Sequence, residues 1–287
     1  MEMLYTYTQW TNVSVEDTEE IRHLHQRCNA HDKLESDVFL DPSLNVFKDM
    51  PFCFGLRDGK ALIAFLTLFT PTKEESEVTA FTDPSYRGQG CFHILLGKAE
   101  EACSAHHIRS LLFAIDSKST EGLRTASHLE HTNHTFSEFR MKREAIQPDL
   151  PQSELSFVQV TSETADLYRE VLSSSEKHED FSTYMQATLE EPQRAGWIAT
   201  LQGKPIGMYH LNKEEGGTCI YGVEILKTER GKGYGRILLG HAVHQACLLG
   251  APILLDVDCT NAIALHLYTT LGFKVVYETA YYQTDLM

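Results

Sequence analysis

The chain has 287 residues, 42% hydrophobic and 10% aromatic, enough for packed cores in about two domains. Its net charge of −15 excludes a general nucleic-acid binder, which needs a basic face, and suits a cationic partner such as an amine. No apolar run reaches the ~18 residues of a membrane span, and the opening residues lack a signal peptide's basic and apolar regions. A soluble cytoplasmic protein is therefore expected.

The first half opens with an apolar strand over 4–10 and a helix over 15–28, with Ser14 as N-cap and Glu16 and Asp17 in its first turn. Strands over 52–56 and 61–69 meet at Asp58-Gly59, a strong hairpin signal. A strand over 77–82 then runs into the turn Arg87-Gly88-Gln89-Gly90, followed by a helix over 92–105 and a strand over 111–116.

The second half repeats this order. It predicts a strand over 157–160, helices over 162–172 and 181–189, and strands over 197–201 and 206–211 turning at Gln202-Gly203. A strand over 219–226 leads into Arg230-Gly231-Lys232-Gly233-Tyr234-Gly235, followed by a helix over 236–249 and a strand over 253–258. A helix over 261–271, Gly272-Phe273 and a strand near 281–284 end the series. Gly59 and Gly203 lie 144 residues apart, and Arg87 and Arg230 lie 143 apart, so an internal duplication is expected. The expected domains are 1–147 and 148–287, with the seam at 147–153, where Pro148 and Pro151 sit among polar residues.

A strand that enters a glycine turn and then a helix aims backbone N–H groups and the positive end of the helix dipole at one point. Residues 148–287 hold ten Lys or Arg, and four of them, Lys227, Arg230, Lys232 and Arg236, fall in one ten-residue window. Such a cluster in an acidic chain predicts an anion there. The turn is not a nucleotide-triphosphate loop, which needs Gly-x-x-x-x-Gly-Lys-Ser/Thr. A dinucleotide fold is also disfavoured, since only 31 residues follow Asp256.

The segment resembles the GCN5-related N-acetyltransferase (GNAT) superfamily in its tandem, two-domain form. Arg230-Gly231-Lys232-Gly233-Tyr234-Gly235 matches that family's Arg/Gln-x-x-Gly-x-Gly/Ala turn. Asn261, Ala264, Tyr268, Gly272 and Phe273 match its downstream helix. The resemblance implies an α/β fold with a mixed sheet in each half, and acetyl-CoA as co-substrate. It places the coenzyme between the strands 219–226 and 253–258, with its pyrophosphate on the main chain of Arg230 to Arg236. The pantetheine arm would pair with the backbone of Val223 and Ile225 and bond Asn261. Tyr268, two helical turns from Asn261, would act as general acid.

Glu224 is the candidate general base, because it interrupts an apolar strand and points away from Val223 and Ile225. The first half departs from the pattern: Phe92 replaces the last turn glycine, Phe81 stands at the Glu224 position, and His131 falls at the Tyr268 position. That copy is expected to be non-catalytic. The spacing of His128, His131 and His134 is too weak to predict a metal, and seven scattered cysteines without Cys-x-x-Cys predict neither disulfides nor zinc.

The expected activity is acetyl transfer to a primary amine, most simply of a small molecule, by direct transfer in a ternary complex. A non-enzymatic acyl-CoA-binding regulatory module and a protein lysine or N-terminal acetyltransferase are the alternatives. No metal, nucleic acid or membrane is expected to take part, and the protein is expected to be a monomer or homodimer.

Overall fold

The computed structural model describes residues 5–148, 153–174, 181–214, 216–250 and 252–286. It forms two compact units that divide the chain at 137/138 and again at 276/277. In chain order the first part of the sequence supplies β1 (Thr6–Trp10), α1 (Val15–Asp32), β2 (Cys53–Asp58), β3 (Ala61–Phe69), β4 (Glu75–Thr82), α2 (Cys91–Ala105), β5 (Ser110–Asp116), α3 (Thr120–His128) and β6 (Asn133–Arg143). The rest supplies β7 (Leu155–Gln159), α4 (Ala165–Ser173), α5 (Phe181–Glu190), β8 (Arg194–Leu201), β9 (Lys204–Glu214), β10 (Gly217–Ile225), α6 (Tyr234–Cys247), β11 (Ile253–Asp258), α7 (Ala262–Thr270) and β12 (Lys274–Asp285). Leu4 and residues 149–152 of the expected seam lie outside the described residues. Among the described residues no helix is long and apolar enough to cross a membrane.

The first unit's sheet runs β1-β2-β3-β4 antiparallel, and β5 then joins β4 in parallel. Its last strand is β12, antiparallel to β5 from Thr279↔Asp116 to Asp285↔Ser110. The second unit repeats the pattern: β7-β8-β9-β10 antiparallel, then β11 parallel to β10. Its last strand is residues 138–143 of β6, antiparallel to β11 from Glu138↔Asp258 to Arg143↔Ile253. The strand after the last helix of each half thus completes the other unit's sheet. This separates the compact units from the linear domains 1–147 and 148–287. The helix α3 and the strand β6 carry no clear signal in the sequence, yet both form.

Buried arginine chemistry holds β6 in place. Arg140, with a side chain 9% exposed, donates to Asp256 Oδ2 at 2.7 Å and to Glu214 Oε2 at 3.0 Å. Arg143 Nε donates to the Leu271 carbonyl at 2.6 Å, tying β6 to the end of α7.

The cores follow from strand alternation. In the first unit Phe54, Phe65 and Leu66 pack with Ile21 and Leu24 of α1 and Leu95 and Ala99 of α2. Each of the Phe, Leu and Ile side chains stabilises the fold by roughly 1.5–3 kcal/mol when fully buried. In the second unit Tyr209, Leu211 and Ile220 meet Leu238, Leu239 and Ala242 of α6. Met208 and Ile198 face the opposite side and meet Tyr168, Val171 and Leu172 of α4.

Beneath α6 His241 stacks on Phe157, with centroids 3.8 Å apart and planes 2° apart. Its Nδ1 shares a 2.8 Å hydrogen bond with Tyr209 Oη. Burial, with a smaller contribution from His244, pushes the His241 pKa down to about 4. The unfolded chain therefore binds this proton first, and the stability held by neutral His241 is lost as pH falls from about 6.5 towards 4. Half-burial limits the effect to roughly 1–2 kcal/mol. Thermal melts of the parent and of His241→Gln at pH 7 and 4.5 check this: the variant's loss on acidification is expected to be smaller by that amount.

Candidate active site

The parallel ladder between β10 and β11 is short, with pairs only at Thr218↔Ile253 and Cys219↔Leu254. Both strands continue beyond it, β10 to Ile225 and β11 to Asp258, so their facing edges are left open. On the other edge the Leu226 N–H bonds the Ile206 carbonyl at 2.8 Å. Alternation then turns the N–H and C=O of Ile225 and Val223 towards the open side.

A bulge sits in β10 between Tyr221 and Glu224, centred on Gly222 at φ +57°. It changes which side chains share a face. Ile220 and Val223, three residues apart, both pack towards α6. Glu224 lies opposite Met208 and Tyr221 opposite His210, so these four side chains share the other face. Without the extra residue Tyr221 and Glu224 would point to opposite sides. The Glu224 side chain is 4% exposed and lies 3.4 Å from Arg230 Nη2.

The turn after β10 reaches α6 through Gly231 at φ +79° and Gly233 at φ +86°. Gly233 is the N-cap and supplies no side-chain cap; the Arg236 N–H turns back to the Gly233 carbonyl at 3.2 Å, while the N–H groups of Tyr234 and Gly235 have no intrahelical acceptor. A Cβ on Gly231, Gly233 or Gly235 would meet nothing within 4 Å. The helix start is thus bare and accessible to an anionic group.

Two of the basic side chains have partners within the chain. Arg230 Nε donates to the Ile225 carbonyl at 2.8 Å and Nη2 reaches Glu224, so the guanidinium is turned back onto the strand. Lys232 Nζ pairs with Glu229 at 2.9 Å on the surface. Arg236 is exposed on the first turn of α6 and has no ion pair or hydrogen bond from its side chain among the described residues. Tyr234 Oη bonds Glu154 at 3.1 Å.

Asn261 caps α7, its Oδ1 accepting the Ala264 N–H at 3.1 Å, which holds the side-chain amide over the helix start. Tyr268 is half-buried against the α6 core and edge-on to Phe273, with centroids 6.1 Å apart. Burial raises its pKa above the ordinary phenol value, so it stays protonated at neutral pH.

Sequence reasoning missed the polar group on the Glu224 face. His210 is fully buried, its Nε2 2.6 Å from Tyr168 Oη, and its ring lies 5.1 Å from that of Tyr221. Arg194 Nη1 donates to Tyr221 Oη at 2.8 Å and stacks over its ring at 5.3 Å. Tyr184 approaches both His210 and Tyr221. The signal available was a histidine inside the apolar run of residues 206–211.

The first unit has the same frame without the same chemistry. The β4–β5 ladder ends at Val78↔Phe113, and Gly88 and Gly90 have φ of +72° and +81°. Phe81 is stacked on Phe65 and packed against His25. Phe92 folds against the core rather than standing in front of the turn. Ser119 caps α3 as Asn261 caps α7. Seven residues on, the counterpart of Tyr268 is the buried Ala126, not His131, which lies beyond α3 at φ +57°. Counting back from Phe136 fails because a loop separates α3 from β6. Among the described residues no three His, Cys, Asp or Glu side chains form a cluster able to hold a metal.

A mixed sheet whose parallel strands part above a bare helix start is thus present twice, once in each unit. The profile of the Acetyltransferase (GNAT) family matches residues 18–124 and 160–273, and the chain belongs to that family. Among solved structures it is similar to a GCN5-related N-acetyltransferase from Sphaerobacter thermophilus, at 16% identity and TM-score 0.72, covering 98% of this chain and 96% of that one. It is similar also to a tandem GNAT protein from the clavulanic acid biosynthesis pathway, at 12% identity and TM-score 0.71, covering 99% of both chains. A third likeness, at 12% identity and TM-score 0.74, is to a fungal multi-domain GH3 β-N-acetylglucosaminidase with a GCN5-related glucosamine N-acetyltransferase region; it covers 99% of this chain and 38% of that one. No curated protein matches significantly. The protein is thus an acyltransferase with two GNAT folds.

Proposed function

We propose that the second unit transfers an acetyl group from acetyl-CoA directly to the primary amine of a small molecule in a ternary complex. The observation that supports this most is the open edge of β10 leading to the bare N-terminus of α6. The residues present fit the coenzyme. Main-chain N–H groups from Gly231 to Gly235 would hold its phosphates, with the Arg236 side chain adding charge, and the edge at Val223 and Ile225 would hold its arm. When bound, it supplies an acyl group activated as a thioester.

Glu224 takes a proton from the ammonium, whose pKa is near ~10 when free, and so makes the nitrogen nucleophilic. Tyr268 keeps its proton and delivers it to the departing sulfur. N–H groups on the open edge stabilise negative charge as it develops on the carbonyl oxygen. The first unit, with Phe81 and Ala126 at the corresponding positions, serves as scaffold.

The test is release of free CoA from acetyl-CoA across a panel of alkylamines, spermidine, amino sugars including glucosamine, and α-amino acids. Transfer to at least one is expected, and Glu224→Gln should lower its kcat/KM by roughly 10²- to 10⁴-fold. Unchanged kcat/KM would remove Glu224 from the mechanism. Tight acetyl-CoA binding with no transfer to any amine would instead favour a regulatory module.

A further inference from the structure

We propose that Arg230 is a positioning residue for Glu224 rather than a ligand of the coenzyme's phosphates; this rests on Glu224 being the base. A guanidinium presents its donors in a rigid planar fork, so one arginine can fix two acceptors relative to each other. Arg230 does this with neighbouring residues. Its Nε holds the Ile225 carbonyl at 2.8 Å, and its Nη2 lies 3.4 Å from Glu224 Oε1. The carbonyl belongs to the open edge of β10, and the carboxylate belongs to the face bearing Tyr221 and His210. The fork therefore ties the edge where the acyl carrier would lie to the carboxylate that would meet the acceptor.

The first unit supplies an internal control. Arg87 Nε bonds the Thr82 carbonyl at 3.1 Å, the same five-residue latch as Arg230 to Ile225. Phe81 precedes Thr82 just as Glu224 precedes Ile225, so no strand carboxylate is available there. Arg87 instead grips Asp32 of α1 with both terminal nitrogens, at 2.8 and 2.6 Å. The latch is common to both units; in the second, the carboxylate it holds is Glu224. Positive charge spent this way is not aimed at the turn's ligand. That task falls to exposed Arg236 and the N–H groups of α6.

Acetyl-CoA binding, read by calorimetry, needs no acceptor. Arg230→Gln should keep Kd within about threefold of the parent, while Arg236→Gln should weaken it severalfold. With the fastest amine of the panel, kcat of Arg230→Gln should fall about 10- to 100-fold, as expected when a reacting group is misplaced. The double variant with Glu224→Gln should be no slower than Glu224→Gln alone, within about threefold, because coupled residues are not additive. If Arg230→Gln folds poorly, Arg230→Lys keeps the charge but not the fork and should still lose kcat. A tenfold or greater rise in acetyl-CoA Kd with kcat retained would overturn the proposal, as would multiplicative losses in the double variant. If no amine is acetylated, the proposed function fails first. Thermal melts of the same two single variants and the double variant then read the Arg230–Glu224 pair alone: additive shifts overturn it, and coupled shifts support the pairing.

Discussion

Tyr268→Phe is expected to lower kcat by about 10²- to 10³-fold while leaving acetyl-CoA affinity within about twofold and the melting temperature nearly unchanged. The substitution deletes one hydroxyl and keeps the ring. Its packing against the α6 core and its edge contact with Phe273 remain. Among the described residues Tyr268 Oη has no hydrogen-bond partner, so its removal orphans nothing in the fold. A structural role for the hydroxyl would appear as lost stability with activity reduced in proportion. A proton-donor role appears only in turnover, since the leaving thiolate then departs unprotonated. Stopped-time assays of CoA release at saturating acetyl-CoA, with calorimetric Kd beside them, separate the two. Unchanged kcat would assign the proton to another group. Burial raises the Tyr268 pKa further above the ordinary phenol value, so the hydroxyl carries its proton at pH 7.

The glycine turn was legible because its conformation is local. Gly231 and Gly233 take up φ of +79° and +86°, which side-chain-bearing residues rarely adopt, so glycine spacing reports the geometry directly. The helix from Asn261 to Phe273 was legible for the same reason: a cap and a seven-residue spacing are short-range features. Partnership between distant segments was not. Nothing in the residues of β6 or β12 says which half's sheet each will complete, because alternation specifies a buried face but not the identity of the neighbour. The side-chain contacts of Arg230 were not legible either. Composition counts its charge, whereas the structure shows that charge turned back onto Ile225 and Glu224. Gly222 inside a strand did hint at a bulge, yet only the pairing of Tyr221 with His210 and Glu224 with Met208 shows what the bulge accomplishes.

Gly222→Ala is expected to cost about 2–4 kcal/mol of stability and to reduce kcat/KM by at least about tenfold. Two costs combine at this position. A side chain at φ +57° is strained, by about 1–2 kcal/mol for an ordinary L-residue. The added Cβ would also lie 2.7 Å from Nδ1 of His210, which is fully buried and held to Tyr168. His210 cannot retreat without breaking that bond or its packing on Tyr221. The bulge must move instead, and with it the register that places Glu224 on the face of Tyr221 and turns Val223 and Ile225 to the open edge. Gly59→Ala provides the control: its φ is +58°, nearly the same, but a Cβ there meets nothing within 4 Å. It should therefore show the backbone strain alone, about 1–2 kcal/mol, and leave activity unchanged. The difference between the two variants in thermal melts isolates the His210 contact. Equal destabilisation of both would show that the contact is absorbed elsewhere, and full activity in Gly222→Ala would show that the bulge does not set the position of Glu224.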